Sequence, residues 1–186
     1  MKIKKTNAAL SLLTVLLLLL HIGYTVYCYL TFSHNAFLSK LFSIPFIAAT
    51  CLHAVLGMCS VFLLGDGTSL ALYPRQNRRT VIQRVSAALI FPLLLLHVRT
   101  FQSLQASAQN EKWFVFALLI AVQIVFYGVI ISHTAASVTR ALITLGWLCS
   151  EKTQKTLDRI ILILGVLIFL IAAVSVVRTQ IIMFVH

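Results

Sequence analysis

Residues 82–101 read IQRVSAALIFPLLLLHVRTF, and this stretch places Arg84 at the head of a long apolar run and His97 deep inside it. An apolar helix of about 20 residues spans the roughly 30 Å of hydrocarbon in a bilayer. A histidine inside such a helix must find a polar partner or a wet cavity, because hydrocarbon offers its ring nitrogens nothing to hydrogen-bond. The stretch therefore predicts a membrane helix that carries a histidine for a functional reason.

The composition of the whole chain agrees with this interpretation. Of its 186 residues, 60% are hydrophobic and 10% are charged, whereas soluble domains carry about 25% charged residues. A soluble domain of this composition would expose far too apolar a surface. The formal net charge of +11 comes from short basic clusters between apolar runs, without the basic face that nucleic-acid binding requires. The composition indicates an integral membrane protein and argues against nucleic acid as a partner.

Five segments are long and apolar enough to cross a membrane. They cover approximately residues 8–32, 38–64, 80–102, 113–145 and 157–185. The first follows MKIKK, as the apolar part of a signal peptide would, but its run continues to about Phe32 and is too long for one. The sequence thus predicts one all-α domain over residues 1–186, a bundle of five transmembrane helices.

The distribution of lysine and arginine between the connections predicts the orientation. Eleven basic residues fall on one side of the predicted membrane: Lys2, Lys4, Lys5, Arg75, Arg78, Arg79, Arg84, Arg140, Lys152, Lys155 and Arg159. Four fall on the other side: Lys40, Arg99, Lys112 and Arg178. Because basic loops are retained in the cytoplasm, we expect a cytoplasmic N-terminus and an outer C-terminus.

The histidines of the predicted spans occur one per helix in the first four. Of the six histidines, His34 lies in a predicted loop and His186 ends the chain, and solvation explains both. His53 and His133 lie roughly 16 Å above the predicted cytoplasmic face at the helical rise. His21 and His97 lie roughly 24 to 27 Å above it. The remaining four therefore form two pairs at two depths.

Two imidazoles at one depth on facing helices supply the two axial nitrogens of a bis-histidine haem. Helical bundles build haem sites from such side chains, and neutral imidazole is a good iron ligand. The four cysteines, Cys28, Cys51, Cys59 and Cys149, show no CxxC spacing, and no CxxCH motif for covalent haem attachment occurs. The pattern predicts two stacked haem b groups, one on His21 and His97 and the other on His53 and His133.

Neighbouring residues fit a flat ring. Small side chains near the histidines are Gly23, Gly57, Ala87, Gly128 and Ala136, although plain helix contacts in membranes use small residues too. Ser86 precedes His97 by about three helical turns and shares its predicted face. Arg84 near the cytoplasmic boundary and Arg99 near the outer one are candidate ligands of haem propionates. The alternative for both arginines is contact with lipid phosphate.

At this point the chain resembles a known family, the cytochrome b membrane anchors of succinate:quinone oxidoreductases, in their single-chain, five-helix, di-haem form. The resemblance is carried by one histidine in each of the first four spans and none in the fifth. Residues 83–98, QRVSAALIFPLLLLHV, are similar to the family's Q-R-x-S-G followed by an apolar run and a ligand histidine, with Ala87 in place of the glycine. The family pairs its first helix with its third for the outer haem and its second with its fourth for the inner one.

The resemblance implies a subunit of a succinate dehydrogenase or fumarate reductase complex in a bacterial cytoplasmic membrane. Its partners would be an iron–sulfur subunit and a flavoprotein subunit carrying FAD, both on the cytoplasmic side, and the whole complex would be able to form a homodimer. The chain has neither a flavin fingerprint nor a series of cluster-binding cysteines. It would therefore perform no dicarboxylate chemistry itself, but would pass electrons between the iron–sulfur subunit and membrane quinone, with menaquinone expected.

Three other interpretations stay open at this stage. Cytochrome b subunits of hydrogenases or formate dehydrogenases also carry two haems, but usually place two ligands on one helix. A similar anchor for another substrate-specific reductase would have the same membrane part. A cofactor-free transport or assembly protein would need a path of polar groups, and few occur beyond the histidines. No acidic residue lies within the apolar runs, and Glu111, the only outer one, is also explained as a solvated loop charge.

Overall fold

The computed structural model describes residues 2–64 and 74–184, and these fold into five helices joined by short connections. The helices are α1 Lys2–Thr31, α2 Ala36–Leu64, α3 Pro74–Gln109, α4 Trp113–Leu145 and α5 Glu151–Phe184. Each is long and apolar enough to cross a membrane. The prediction of a multi-pass helical membrane protein is confirmed. Met1, the segment 65–73, Val185 and His186 lie outside the described residues, as do the side chains of 62–64 and 74–77, including Arg75.

Helix α3 is longer than its predicted span 80–102 at both ends. It begins at Pro74, a residue favoured in the first turn because its missing N–H would have no partner there. Helix α4 ends at Leu145, followed by Gly146 in the left-handed conformation with φ of 82°. The N–H groups of Gly146 and Trp147 donate to the carbonyls of Ile143 and Leu142, which satisfies the end of the helix as in a Schellman motif.

Helices α1 and α4 form the centre of the bundle. Helix α1 packs against α2, α4 and α5, and α4 packs against α1, α3 and α5. Among the described residues, neither α1 with α3 nor α2 with α4 belongs to the helix pairs that pack closely. Those are the two helix pairs that carry the predicted histidine pairs.

The exterior of the bundle is apolar and several of its most buried residues are polar. Phe114 is 81% exposed and Leu95 is 71% exposed, whereas Thr139, Thr179 and Gln180 are at most 1% exposed. Large apolar side chains facing outward are stable in lipid, while polar groups inside must be hydrogen-bonded to one another. This distribution is that of a helical bundle whose solvent is lipid.

A network centred on Arg79 joins three helices at one end of the bundle. The Arg79 guanidinium donates to both carboxylate oxygens of Asp158 at 2.8 Å, linking α3 to α5. It also donates to the carbonyls of Ala135 and Ala136 and to the hydroxyl of Thr139, all on α4. The starts of α3 and α5 therefore lie at the same end of the bundle as the end of α4. These three consecutive helices thus alternate in direction, as expected for helices joined by short connections.

Candidate functional site

The first predicted pair, His21 on α1 and His97 on α3, lines one cavity of about 660 Å³. All five helices contribute to its wall, which is mostly apolar and includes Phe46, Phe126 and Tyr127. Small-molecule and cofactor sites commonly have volumes of about 300 to 1,000 Å³ and apolar walls with a few polar groups. The cavity is therefore large enough for a sizeable apolar ligand between these two histidines.

The His21 ring is held by an aromatic contact. It stacks on Phe46 with ring centroids 5.6 Å apart and planes inclined by 13°. Within the described part of the chain, no side chain or carbonyl hydrogen-bonds its ring nitrogens. Both nitrogens are thus available to a ligand in the cavity.

The His97 ring, in contrast, has a hydrogen-bonding partner. Its Nδ1 lies 2.5 Å from Oε1 of Gln123 on α4. The ring also contacts Phe126 and Tyr127, with centroids 5.0 and 6.1 Å away. Because Nδ1 is occupied, Nε2 is the nitrogen of His97 that remains for a ligand.

The second predicted pair lies closer together. The rings of His53 on α2 and His133 on α4 have centroids 6.4 Å apart and planes inclined by 65°. His53 Nδ1 lies 2.8 Å from Oδ1 of Asn7. His133 Nδ1 lies 3.1 Å from the Gln83 carbonyl and 3.1 Å from the Ser86 hydroxyl. The structure therefore brings these two imidazoles together across the gap between α2 and α4.

The partners of these rings set their tautomer. A carbonyl oxygen only accepts, so His133 Nδ1 carries the hydrogen that Gln83 receives. Ser86 donates its own hydrogen to the Ile82 carbonyl at 2.7 Å and so accepts from His133 as well. The Asn7 amide oxygen likewise accepts from His53. A neutral ring with hydrogen on Nδ1 keeps the Nε2 lone pair, which is the form that binds a metal.

The other predicted site residues are less closely grouped around the cavity. Ser86, predicted to share a face of α3 with His97, is buried and lies against His133 on α4. Arg84 is half-buried, and Arg99 is exposed and does not line the cavity. His34, predicted to be a solvated loop residue, is exposed but also lines the mouth of the cavity.

The glycines predicted to face a flat ring differ in their surroundings. A Cβ at Gly57 would lie 3.8 Å from the Asn7 amide nitrogen, and a Cβ at Gly128 would lie 3.8 Å from the Phe169 ring. Both glycines therefore face neighbouring helices, where they allow close packing. At Gly23 a Cβ would meet no atom within 4 Å.

Several polar residues around the histidines were not identified from the sequence. Gln123 interrupts an apolar run in α4, and that isolated amide was the one signal available. Asn7 sits beside the basic start of α1, where polar residues are expected, so its contact with His53 had no signal. Gln180 lines the cavity, is 1% exposed, and has an Oε1 without a hydrogen-bond partner among the described residues. A buried amide oxygen of this kind presents an acceptor to whatever enters the cavity.

Within residues 2–64 and 74–184, no group of three or more His, Cys, Asp or Glu side chains could hold a metal ion. The four membrane histidines meet only as pairs.

Comparison with protein-family models finds no match to this sequence, and comparisons with curated proteins and with solved structures find none either. The resemblance drawn from the histidine pattern therefore stays a prediction.

Proposed function

We propose that this chain is a di-haem cytochrome b membrane anchor, which passes electrons between an iron–sulfur protein and membrane quinone. The observation that carries the proposal is that the His53 and His133 rings contact each other while His21 and His97 line one cavity. Each pair joins helices that do not pack closely on one another. A bis-histidine haem requires one imidazole from each of two helices, with space between the helices for the ring.

The distance between the His53 and His133 rings supports a metal ion bound between them. Metal–imidazole bonds are about 2 Å long, so two nitrogens bound to one ion lie about 4 Å apart. Ring centroids lie somewhat further apart than the bonding nitrogens, and the observed centroid separation is 6.4 Å. With hydrogen on Nδ1 of both rings, the Nε2 atoms of His53 and His133 are the expected ligands.

The cavity supports a haem at the first pair. Its volume of about 660 Å³ and its aromatic lining suit a large flat ring between His21 and His97. When bound, haem supplies a one-electron carrier whose potential depends on its axial ligands, their hydrogen bonds and the burial of the ring.

The residues of the chain have distinct tasks under this proposal. His53, His97 and His133 would hold iron through Nε2 and His21 through one of its two ring nitrogens, and the Nδ1 partners fix the orientation of the other three rings. The apolar walls exclude water. Neither Arg84, half-buried in α3, nor the exposed Arg99 lines the cavity, so the assignment of both as propionate ligands rests on the sequence alone.

The proposed orientation rests on charge. With eleven basic residues against four, the end of the bundle that holds Arg79 and Asp158 is cytoplasmic. Exposed Arg78, Lys152 and Arg159 near that end suit an iron–sulfur subunit, which would be joined by the flavoprotein subunit with FAD. The membrane is proposed to be a bacterial cytoplasmic membrane, with menaquinone as the expected quinone and a homodimer of the complex as a higher assembly.

The test is a dithionite-reduced minus oxidised optical spectrum of the purified protein, with haem quantified against the chain. We expect split bands of low-spin b-type haem and about two haems per chain. A folded, helical preparation without haem would contradict the proposal and favour a cofactor-free transport or assembly protein. One haem per chain would contradict the assignment of one of the two pairs.

A further inference from the structure

Gln123 is a buried amide in an otherwise apolar stretch of α4, and both ends of its side chain are engaged. It is 3% exposed. Its Oε1 lies 2.5 Å from His97 Nδ1, and its Nε2 lies 2.5 Å from the Thr100 hydroxyl oxygen. His97 and Thr100 are three residues apart on α3, so one amide of α4 contacts two consecutive polar positions on one face of α3.

The direction of every hydrogen bond in this group follows from its last member. Thr100 Oγ1 lies 2.7 Å from the Leu96 carbonyl, which can only accept, so the hydroxyl hydrogen points there. The Thr100 oxygen is then left to accept from the Gln123 Nε2. Because the amide nitrogen is turned towards Thr100, its oxygen faces His97 and accepts the Nδ1 hydrogen. The Nε2 of His97 therefore keeps its lone pair.

The facing histidine has no such support. His21 is oriented by stacking on Phe46, and the described residues offer its ring no hydrogen-bond acceptor. A hydrogen bond donated by Nδ1–H increases the electron density on an imidazole and fixes its rotation, whereas stacking alone does neither. The two imidazoles across the cavity are therefore unequal as ligands.

We propose that Gln123 is a positioning residue for His97, which fixes its tautomer and ring orientation through Thr100 and makes it the stronger of the two ligands across the cavity. The part of this inference that concerns haem rests on the proposed function. The part that concerns the tautomer does not, because the hydrogen-bond directions follow from the protein groups alone.

The haem-dependent test compares Gln123→Met, which keeps the length and loses the acceptor, with Gln123→Glu, which keeps an acceptor oxygen. Loss of the acceptor makes His97 a poorer donor to oxidised iron. We expect Gln123→Met to raise the midpoint potential of one haem, leave the other unchanged, and weaken retention of that haem by about 10- to 100-fold. Gln123→Glu should return the potential to the wild-type value or below it.

Two further variants separate positioning from packing. Thr100→Val removes the group that turns the amide and should shift the same haem in the same direction as Gln123→Met. Ser175→Ala removes another buried hydroxyl, 4% exposed on α5, and should shift neither potential. Equal potentials in wild type, Gln123→Met and Thr100→Val would overturn the inference while leaving the di-haem proposal intact.

The haem-independent test is ¹⁵N NMR of the full chain labelled at histidine, measured on haem-free protein. Wild-type His97, assigned with His97→Leu, should show hydrogen on Nδ1, and Gln123→Met should convert it to a mixture of tautomers. This measurement remains decisive if the purified chain binds no haem. A wild-type His97 with hydrogen on Nε2 would overturn the inference whatever the outcome of the haem assay.

Discussion

The two ends of the bundle differ in how they hold their membrane histidines. In the half towards the Arg79–Asp158 pair, here called the closed half, the rings of His53 and His133 are 6.4 Å apart and both are hydrogen-bonded through Nδ1. In the half towards the end of α1, here called the open half, His21 and His97 line a cavity of about 660 Å³.

The difference concerns how completely the protein satisfies its own polar groups. In the closed half, Arg79 alone makes hydrogen bonds to Asp158, to Thr139 and to two carbonyls of α4. In the open half, the His21 ring and the Gln180 Oε1 have no hydrogen-bond partner among the described residues. Since lipid supplies no hydrogen bonds, the His21 ring depends on a ligand for a polar partner, whereas the described residues already supply partners to His53 and His133.

The largest expected effect is that of removing one ligand from each half. His97→Leu should remove the haem of the open half, and His133→Leu that of the closed half, because each leaves one imidazole where two are required. Each variant should lose half of the bound haem, measured as pyridine haemochrome per chain, and should lose a different component of the redox spectrum. His34→Leu, at the mouth of the cavity and outside the helices, is the control and should keep both haems.

Equal loss of both haems in the two variants would mean that the halves are not independent. Retention of both haems in either variant would contradict the assignment of the ligands.

The next effect in size is on the network of the closed half. Arg79→Leu leaves the Asp158 carboxylate without its ion-pair partner, and the two side chains are 23% and 30% exposed in the pair. We expect a loss of about 2 to 3 kcal/mol in the free energy of unfolding, somewhat less than for a fully buried pair. The measurement is SDS-induced unfolding in mixed micelles, followed by far-ultraviolet circular dichroism.

The matched control is Lys155→Ala, which breaks an exposed pair with Glu151 whose side chains are 75% and 78% exposed. Its effect should be too small to resolve in the same assay, because water screens an exposed pair. The double variant Arg79→Leu with Asp158→Leu should regain part of the loss, because no unpaired charge remains. Similar losses for Arg79→Leu and Lys155→Ala would show that the network does not hold the closed half together.

The smallest expected effect concerns the wall of the open half. A Cβ at Gly165 on α5 would lie 2.9 Å from Cγ2 of Ile131, a residue that lines the cavity. Overpacking commonly costs about 1 to 3 kcal/mol, and we expect about 1 kcal/mol for Gly165→Ala because Ile131 has the cavity to move into. Gly23→Ala, where a Cβ would meet no atom within 4 Å, should change stability by about 0.5 kcal/mol or less.

Measuring the stability of Gly165→Ala and Gly23→Ala with and without haem also tests whether a ring occupies the open half. A bound ring would occupy the space that Ile131 needs, so Gly165→Ala should be more destabilising in haem-loaded protein than in haem-free protein. An equal cost in both forms would indicate that the ring does not occupy the cavity next to Ile131.

The helices could be predicted well because hydrophobicity adds up over the residues of each segment. The spans follow from the length of each apolar run, and the error at α3 arose because the polar segments 74–79 and 103–109 continue the helix beyond the apolar part. The pairing of the four histidines followed from the rise per residue, which converts sequence position into depth. The contact of Ser86 with His133 could not be predicted, since depth does not say which neighbouring helix a side chain faces.

The partners of the histidines were beyond prediction for a related reason. Gln123 lies 26 positions from His97, and Asn7 lies 46 positions from His53. Whether such residues meet depends on the rotation of each helix about its axis and on which helices pack together. Neither quantity is a sum over one segment.

The five membrane helices follow from the amino-acid sequence alone, because backbone groups in lipid must be satisfied within each apolar segment. The sequence also shows one histidine in each of the first four helices. The packing of the helices sets the contact between the His53 and His133 rings, the cavity beside His21 and His97, and the ring nitrogen that His53, His97 and His133 keep free. Those outcomes depend on hydrogen bonds between helices, and a hydrogen bond requires two groups within about 3 Å, a distance that only the packed bundle defines.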